Sequence, residues 1–267
     1  MKKLLIAALT LILSLVIFAG CSGTSASTDD KKVIKVGATP VPHEEILEQI
    51  KPILAAKGYT LEIVEFTDYV TPNMALADGE LDANFFQHIP YLEEFNKEKN
   101  LTLTYTAKVH IEPMGVYSHK VKDLSSLTDG ATIAIPNDPT NGARALRVLE
   151  NAGLIKVKEG ALVSKLDITE NPRNFQIEEL EAAMLPRQLD NIDAAVINAN
   201  YALEAGLNPV TDALALESKD SPYANILAVK AADKDKPYIN ALSEALNSPE
   251  VKKFIEEKYK GSVIPAF

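Results

Sequence analysis

The sequence predicts an α/β fold, and three observations predict it. Apolar strand-like runs alternate with amphipathic helical stretches from residue 33 to the C-terminus. Several of those runs end on Asn, His or Tyr just before a helix, where open α/β sheets place ligand-contacting side chains. The body beyond residue 31, about 235 residues, is large for one core and comfortable for two lobes.

Residues 1–20 read as a signal peptide. Lys2 and Lys3 precede an apolar run from Leu4 to Phe18, and Ala19-Gly20 supply the small residues that export cleavage needs. The run is too short for a confident membrane span. Cys21 is the only cysteine, so it has no internal disulfide partner. Its position after small residues matches a bacterial lipobox, with Phe18 where Leu is usual, and marks it for lipidation by palmitate or a related chain. Residues 21–31 include SGTSASTDD, too polar to order itself, and read as the lipidated N-terminus and a flexible tether. Anchor, tether and body imply a protein held at the extracytoplasmic face of the cell membrane without spanning it.

In the body, 33–39 reads as a strand ending in a Gly-containing turn. A helix opened by Pro42 and His43 carries Ile46, Leu47, Ile50, Ile53 and Leu54 on one stripe, with a kink or break expected at Pro52. Residues 61–66 alternate as a strand and lead to a corner with Tyr69 exposed. A helix runs to Asp78 and stops at Gly79. Leu81 to Ala83 reads as a short buried strand, followed by a polar-aromatic corner with Phe86 and His88, and Pro90 suits the first turn of the next helix. Strands are expected at 101–110, 114–119 and 132–135, and a short helix at 123–127. The corner 137–141 opens a helix that stops at Gly153, with Arg144 in its first turn, a position the helix dipole disfavours. A helix is expected over 178–189 despite Pro186. Strands follow at 192–198, ending in Asn198, and 221–230, which includes Asn225, and two helices at 235–246 and 249–259 close the chain.

The corners carry Tyr69, Phe86 with His88, Asn141 with Arg144, and Asn198; Asn225 stands in a strand. Proline-bounded segments near 111–113 and 221–222 look like crossings between lobes. The expectation is lobe I from 32–111 and 225–267 and lobe II from 112–224, with a small ligand in the cleft between them. The net charge of −10 becomes −12 once Lys2 and Lys3 are removed, which argues against nucleic acid as a partner.

DANFFQHIPYL at 82–92, the NDPTN corner with Arg144, INANYA, SPYAN and KKFIEEKY together resemble the methionine-binding lipoprotein family, the NlpA/MetQ-type substrate-binding components of bacterial methionine ABC importers. The resemblance runs from Val33 to Phe267; the residue before Gly142 departs from the usual pattern, while the arginine is in register. It implies a two-lobed type II periplasmic-binding-protein fold, an L-methionine ligand, and an ABC permease with its ATPase as partners. It also implies roles. Arg144 would grip the carboxylate with its guanidinium fork. Amide oxygens of Asn198 and Asn225 would accept from the ammonium, and Tyr69, Phe86 and His88 would wall the thioether. Asn141 completes the set. The protein is expected to be a monomer without a cofactor and not an enzyme.

Alternatives remain on the residues alone. The same fold would accept D-methionine, a methionine dipeptide or another apolar amino acid. His43, His88, His110 and His119 are potential metal ligands, but they show no tight spacing such as HxxxH, so no metal site is assigned. A cell-wall enzyme would need a carboxylate pair hidden among the 37 acidic residues, since no GxSxG is present and the one thiol is committed to the anchor.

Overall fold

The computed structural model describes residues 31–267, so the signal peptide, Cys21 and nearly all of the tether lie outside the described residues. The described chain builds two main sheets within one compact unit. The first has six strands in the order β13-β4-β12-β3-β1-β2. These are β1 Val33–Ala38, β2 Thr60–Glu65, β3 Ala83–His88, β4 Leu103–Ile111, β12 Ala224–Lys230 and β13 Ile264–Pro265. The second has the order β11-β5-β10-β6-β9. Its strands are β5 Gly115–Tyr117, β6 Thr132–Pro136, β9 Gln176–Leu180, β10 Ala194–Ile197 and β11 Ala215–Leu216. A small ladder joins β7 Lys156–Val157 to β8 Ile168–Glu170.

Helices sit between the strands as the alternation requires. Parallel pairs β1/β2 and β1/β3 are joined through α1 Glu45–Ala56 and α2 Thr71–Asp78, the crossover that a parallel pair needs. α3 Ile89–Lys99 follows β3, and α4 Pro139–Asn151 follows β6. Short helices α5 Leu185–Gln188, α6 Ala199–Glu204 and α7 Pro209–Asp212 lie in the second half, and α8 Pro237–Leu246 and α9 Pro249–Tyr259 close the chain. Ile34, Val36, Ile46, Ile50, Leu54, Leu242 and Ile255 pack one core between the first sheet and α1, α8 and α9. Ile133, Ile135, Leu146, Leu149 and Val196 pack another around the second sheet and α4. Only two connections pass from one sheet to the other among the described residues: 112–114 and 217–223.

Several expectations change. The polar-aromatic stretch expected as a corner is itself strand: β3 runs on to His88 with all six residues buried, because neighbours β1 and β12 cover both edges. The helix expected over 178–189 is instead β9, a 3-10 turn at Ala182–Met184 and the four-residue α5. Pro186 falls in the first turn of α5, where a missing N–H costs nothing. Pro52 does not break α1, which continues from Glu45 to Ala56 through it. The short helix near 123–127 is a 3-10 turn, Leu124–Ser126. Gly79 does stop α2, at φ 82°.

Candidate ligand-binding cavity

All seven side chains singled out from the sequence line one cavity: Tyr69, Phe86, His88, Asn141, Arg144, Asn198 and Asn225. It encloses about 330 Å³ of empty space including its mouth. Gln87, Tyr91, Glu112, Ala199 and Asn200 complete the lining.

Each residue is delivered by the end of an element. His88 ends β3 and caps α3, its Nδ1 accepting from the Tyr91 backbone N–H at 3.1 Å. Asn225, near the start of β12, lies between His88 of β3 and His110 of β4 in the strand register. Asp138 caps α4 by accepting from the Asn141 N–H, with Pro139 in the first turn. Asn198 precedes α6 but makes no capping bond with its side chain, which leaves that side chain available to the cavity.

The amide orientations follow from a chain of donors. The Asp138 carboxylate can only accept, and Asn141 Nδ2 donates to both of its oxygens, at 3.1 and 2.9 Å. Asn141 Oδ1 therefore faces the other way and accepts from Asn198 Nδ2 at 2.8 Å and from His88 Nε2 at 3.0 Å. Asn198 Oδ1 is left buried without a partner, and so is Asn200 Nδ2, whose own Oδ1 accepts from the Tyr69 hydroxyl. Buried polar atoms without partners are rare in native proteins. Two of them on one cavity mark a place where a ligand's polar groups fit.

Arg144 is 3% exposed and sits in the second turn of α4 rather than the first. Its guanidinium stacks over the Tyr223 ring at 4.3 Å. Nε donates to Glu217 at 3.0 Å, and Nη2 donates to Glu217 Oε2 and, at 2.7 Å, to the Glu112 carbonyl. The fork that the resemblance turns toward a ligand carboxylate is thus already engaged on one side, and Nη1 is the nitrogen without a described partner. Glu217 had no signal in the sequence: it lies 73 residues from Arg144, in an irregular connection.

Tyr69 is half-buried, not exposed. It packs against Phe86 at 5.9 Å, Tyr91 at 5.8 Å and Tyr201 at 5.0 Å between ring centroids. Burial pushes its hydroxyl well above the ordinary tyrosine range, helped by Tyr201 and Glu112. Burial, with the Arg144 charge, pulls His88 down to about 3, so it is neutral at physiological pH.

The histidines separate. His119 is surface-exposed and paired with Asp190. His43 and His110 converge on Glu112: its Oε1 lies 3.2 Å from His43 Nε2 and 2.6 Å from His110 Nε2. Burial alone would raise the Glu112 carboxyl, but His43 and His110 outweigh it and hold it well below the usual carboxylate range. These three residues offer ligand atoms within 4.8 Å of one another, close enough for a divalent cation. Hydrogen bonding already accounts for the contacts. The cluster escapes a sequence reading because His43 and His110 stand on different elements with no short spacing.

Comparison with known proteins gives a consistent picture. The chain is 44% identical to the methionine-binding lipoprotein MetQ of Bacillus subtilis, over 99% of each chain. It is 40% identical to the D-methionine-binding lipoprotein MetQ of Salmonella typhi, over 91% of this chain and 92% of that one. A nutrient-binding protein from Burkholderia cenocepacia, solved bound to methionine, superposes with a TM-score of 0.85 at 48% identity, covering 88% of this chain and all of that one. Residues 34–267 match the model of the NlpA lipoproteins, and on these grounds the chain belongs to the NlpA lipoprotein family.

Proposed function

We propose that this chain is a lipid-anchored, extracytoplasmic solute-binding protein that captures L-methionine and delivers it to an ABC import permease driven by a cytoplasmic ATPase. The observation that carries this reading is the polarity of the cavity. Arg144 Nη1 and Asn200 Nδ2 are donors fit for a carboxylate, Asn198 Oδ1 is an acceptor fit for an ammonium, and Tyr69, Phe86 and His88 form a ring-lined wall. Sulfur against such rings gains about 0.3–1.5 kcal/mol per contact. The name of the Bacillus relative and the methionine bound to the Burkholderia protein support methionine as the ligand.

In this reading the first sheet belongs to lobe I (32–111 and 225–267) and the second to lobe II (112–224). The cavity lies where their side chains meet. Closure around the ligand is driven by its higher affinity for the closed form. Cys21 carries the lipid; incorporation of a clickable palmitate into the wild type but not into Cys21→Ala is the expected result. The chain acts as a monomer and as a binder, not an enzyme.

Mass spectrometry of small molecules released from the purified protein tests the ligand directly. Methionine should be recovered, and calorimetry on stripped protein should rank L-methionine above D-methionine; no methionine affinity at all would remove the reading. The Salmonella relative's name keeps the D-isomer as the alternative ligand. The compact His43–His110–Glu112 set supports a second reading as a cation site. Elemental analysis with and without chelator decides it: stoichiometric zinc or another divalent metal lost on chelation would favour it.

A further inference from the structure

An ammonium taken from water needs acceptors and, in a low-dielectric site, an opposite charge. Asn225 does not supply its oxygen. His43 Nε2 faces Glu112 Oε1, which can only accept, so that nitrogen carries the proton. The same N–H points at Asn225 Oδ1, 3.2 Å away, and His43 Nδ1 meets the Thr39 hydroxyl at 2.7 Å. With its oxygen engaged, Asn225 shows the cavity its NH₂, a donor. His110 directs its own Nε2–H at the same Glu112 oxygen and keeps Nδ1 buried without a partner. Both rings therefore meet Glu112 at Oε1, His110 through a hydrogen bond and His43 at 3.2 Å. Oε2 makes no hydrogen bond with a described residue and is not sealed in the interior, and Glu112 lines the cavity, which leaves this oxygen as the one available to a ligand there. Arg144, the other charged residue of the lining, is already matched by Glu217.

We propose that Glu112 is the counter-ion of the ligand's α-ammonium, with His43 and His110 as positioning residues that hold one carboxylate oxygen and leave the other for the ligand. This rests on the reading that the ligand is an α-amino acid. Asn198 Oδ1 is the second acceptor, and Asn225 moves to the carboxylate side as a donor. The site then selects for an α-amino group: an analogue with a hydroxyl in its place brings no charge to meet Glu112.

The test is calorimetry on ligand-stripped wild type and Glu112→Gln, each titrated with methionine and with 2-hydroxy-4-(methylthio)butanoate. The wild type should prefer methionine by at least about thirty-fold, the loss expected when one partner of a buried charge pair is removed. Glu112→Gln should bring the two ligands to within about threefold, since its amide meets both without charge. His110→Gln, which keeps the carboxylate but loses one brace, should reduce the preference, whereas a purely structural role would weaken both ligands alike. A preference unchanged in Glu112→Gln overturns the proposal. So does a wild type that binds both equally, a result that needs no folded variant. A wild type that binds neither ligand removes the functional reading and this proposal with it.

Discussion

Two buried amide clusters lie close together, and they differ in one respect. Asn73, Asn84 and Gln87 close on themselves. Asn73 donates to Gln87, Gln87 to Asn73 and Asn84, and Asn84 to Asn73 and the Pro72 carbonyl, at 2.7–3.1 Å. No atom of that cluster is left buried without a partner. The Asn141–Asn198–Asn200 cluster is built of the same groups, yet it ends with a bare oxygen on Asn198 and a bare nitrogen on Asn200. A saturated network belongs to the fold alone, whereas an unsaturated one has valences that only an incoming molecule can fill.

That contrast predicts where mutations act. The largest effect is on the cavity side. Arg144→Ala should weaken methionine binding by about 2–5 kcal/mol or more, because the bound carboxylate loses its cation. Glu217 loses its partner in the same variant, so the midpoint of urea unfolding should fall too; an unchanged affinity by calorimetry would take Arg144 out of the site. On the saturated side, Asn84→Leu removes a donor to Asn73 and the Pro72 carbonyl and an acceptor from Gln87, and should cost about 1–3 kcal/mol of stability, with affinity per folded molecule kept. Loss of affinity without loss of stability would erase the distinction.

His88 adds a pH dependence. Its folded pKa, about 3, lies below the ordinary 6.5, so on acidification the unfolded chain takes the proton first. This contribution to stability is complete above pH 6.5 and is lost as pH falls toward 3, at up to about 1.4 kcal/mol per pH unit. Urea midpoints from neutral to mildly acid pH should show that slope, and His88→Gln should flatten it; the same slope in both proteins would assign it elsewhere. The smallest effect on stability is expected for Asn198→Ala, within about 1 kcal/mol, since Asn141 Oδ1 keeps His88 as a donor. Methionine affinity in that variant should still fall by about tenfold or more, the worth of one hydrogen bond to a charged group.

The legible parts of the sequence were those with local cause. Largely apolar runs such as 33–38, 132–136 and 194–197, each bounded by turn residues, read directly as strands. The polar residues at their ends could be named because a strand that feeds a helix must stop there. The stretch through Phe85 and Phe86 misled because a strand buried on both faces has no alternation, so its polar end looked like a loop. Residues 178–189 misled because their apolar spacing fits a helix, while pairing with β6 decides otherwise. The strands β11 and β13, two residues each, exist only through their partners. Glu112 of the cavity lining and Glu217 behind Arg144 were illegible as site residues: single acids in irregular connections, their significance comes from His43, His110 and Arg144, which the fold brings to them from far along the chain.

The two connections between the sheets share one neighbour. Arg144 donates to the Glu112 carbonyl in the first and to the Glu217 carboxylate in the second, so a single guanidinium ties the two connections together. Any bending of those spans must be felt at this side chain. An acid group that drew on this guanidinium would therefore strain two distant stretches of chain at once.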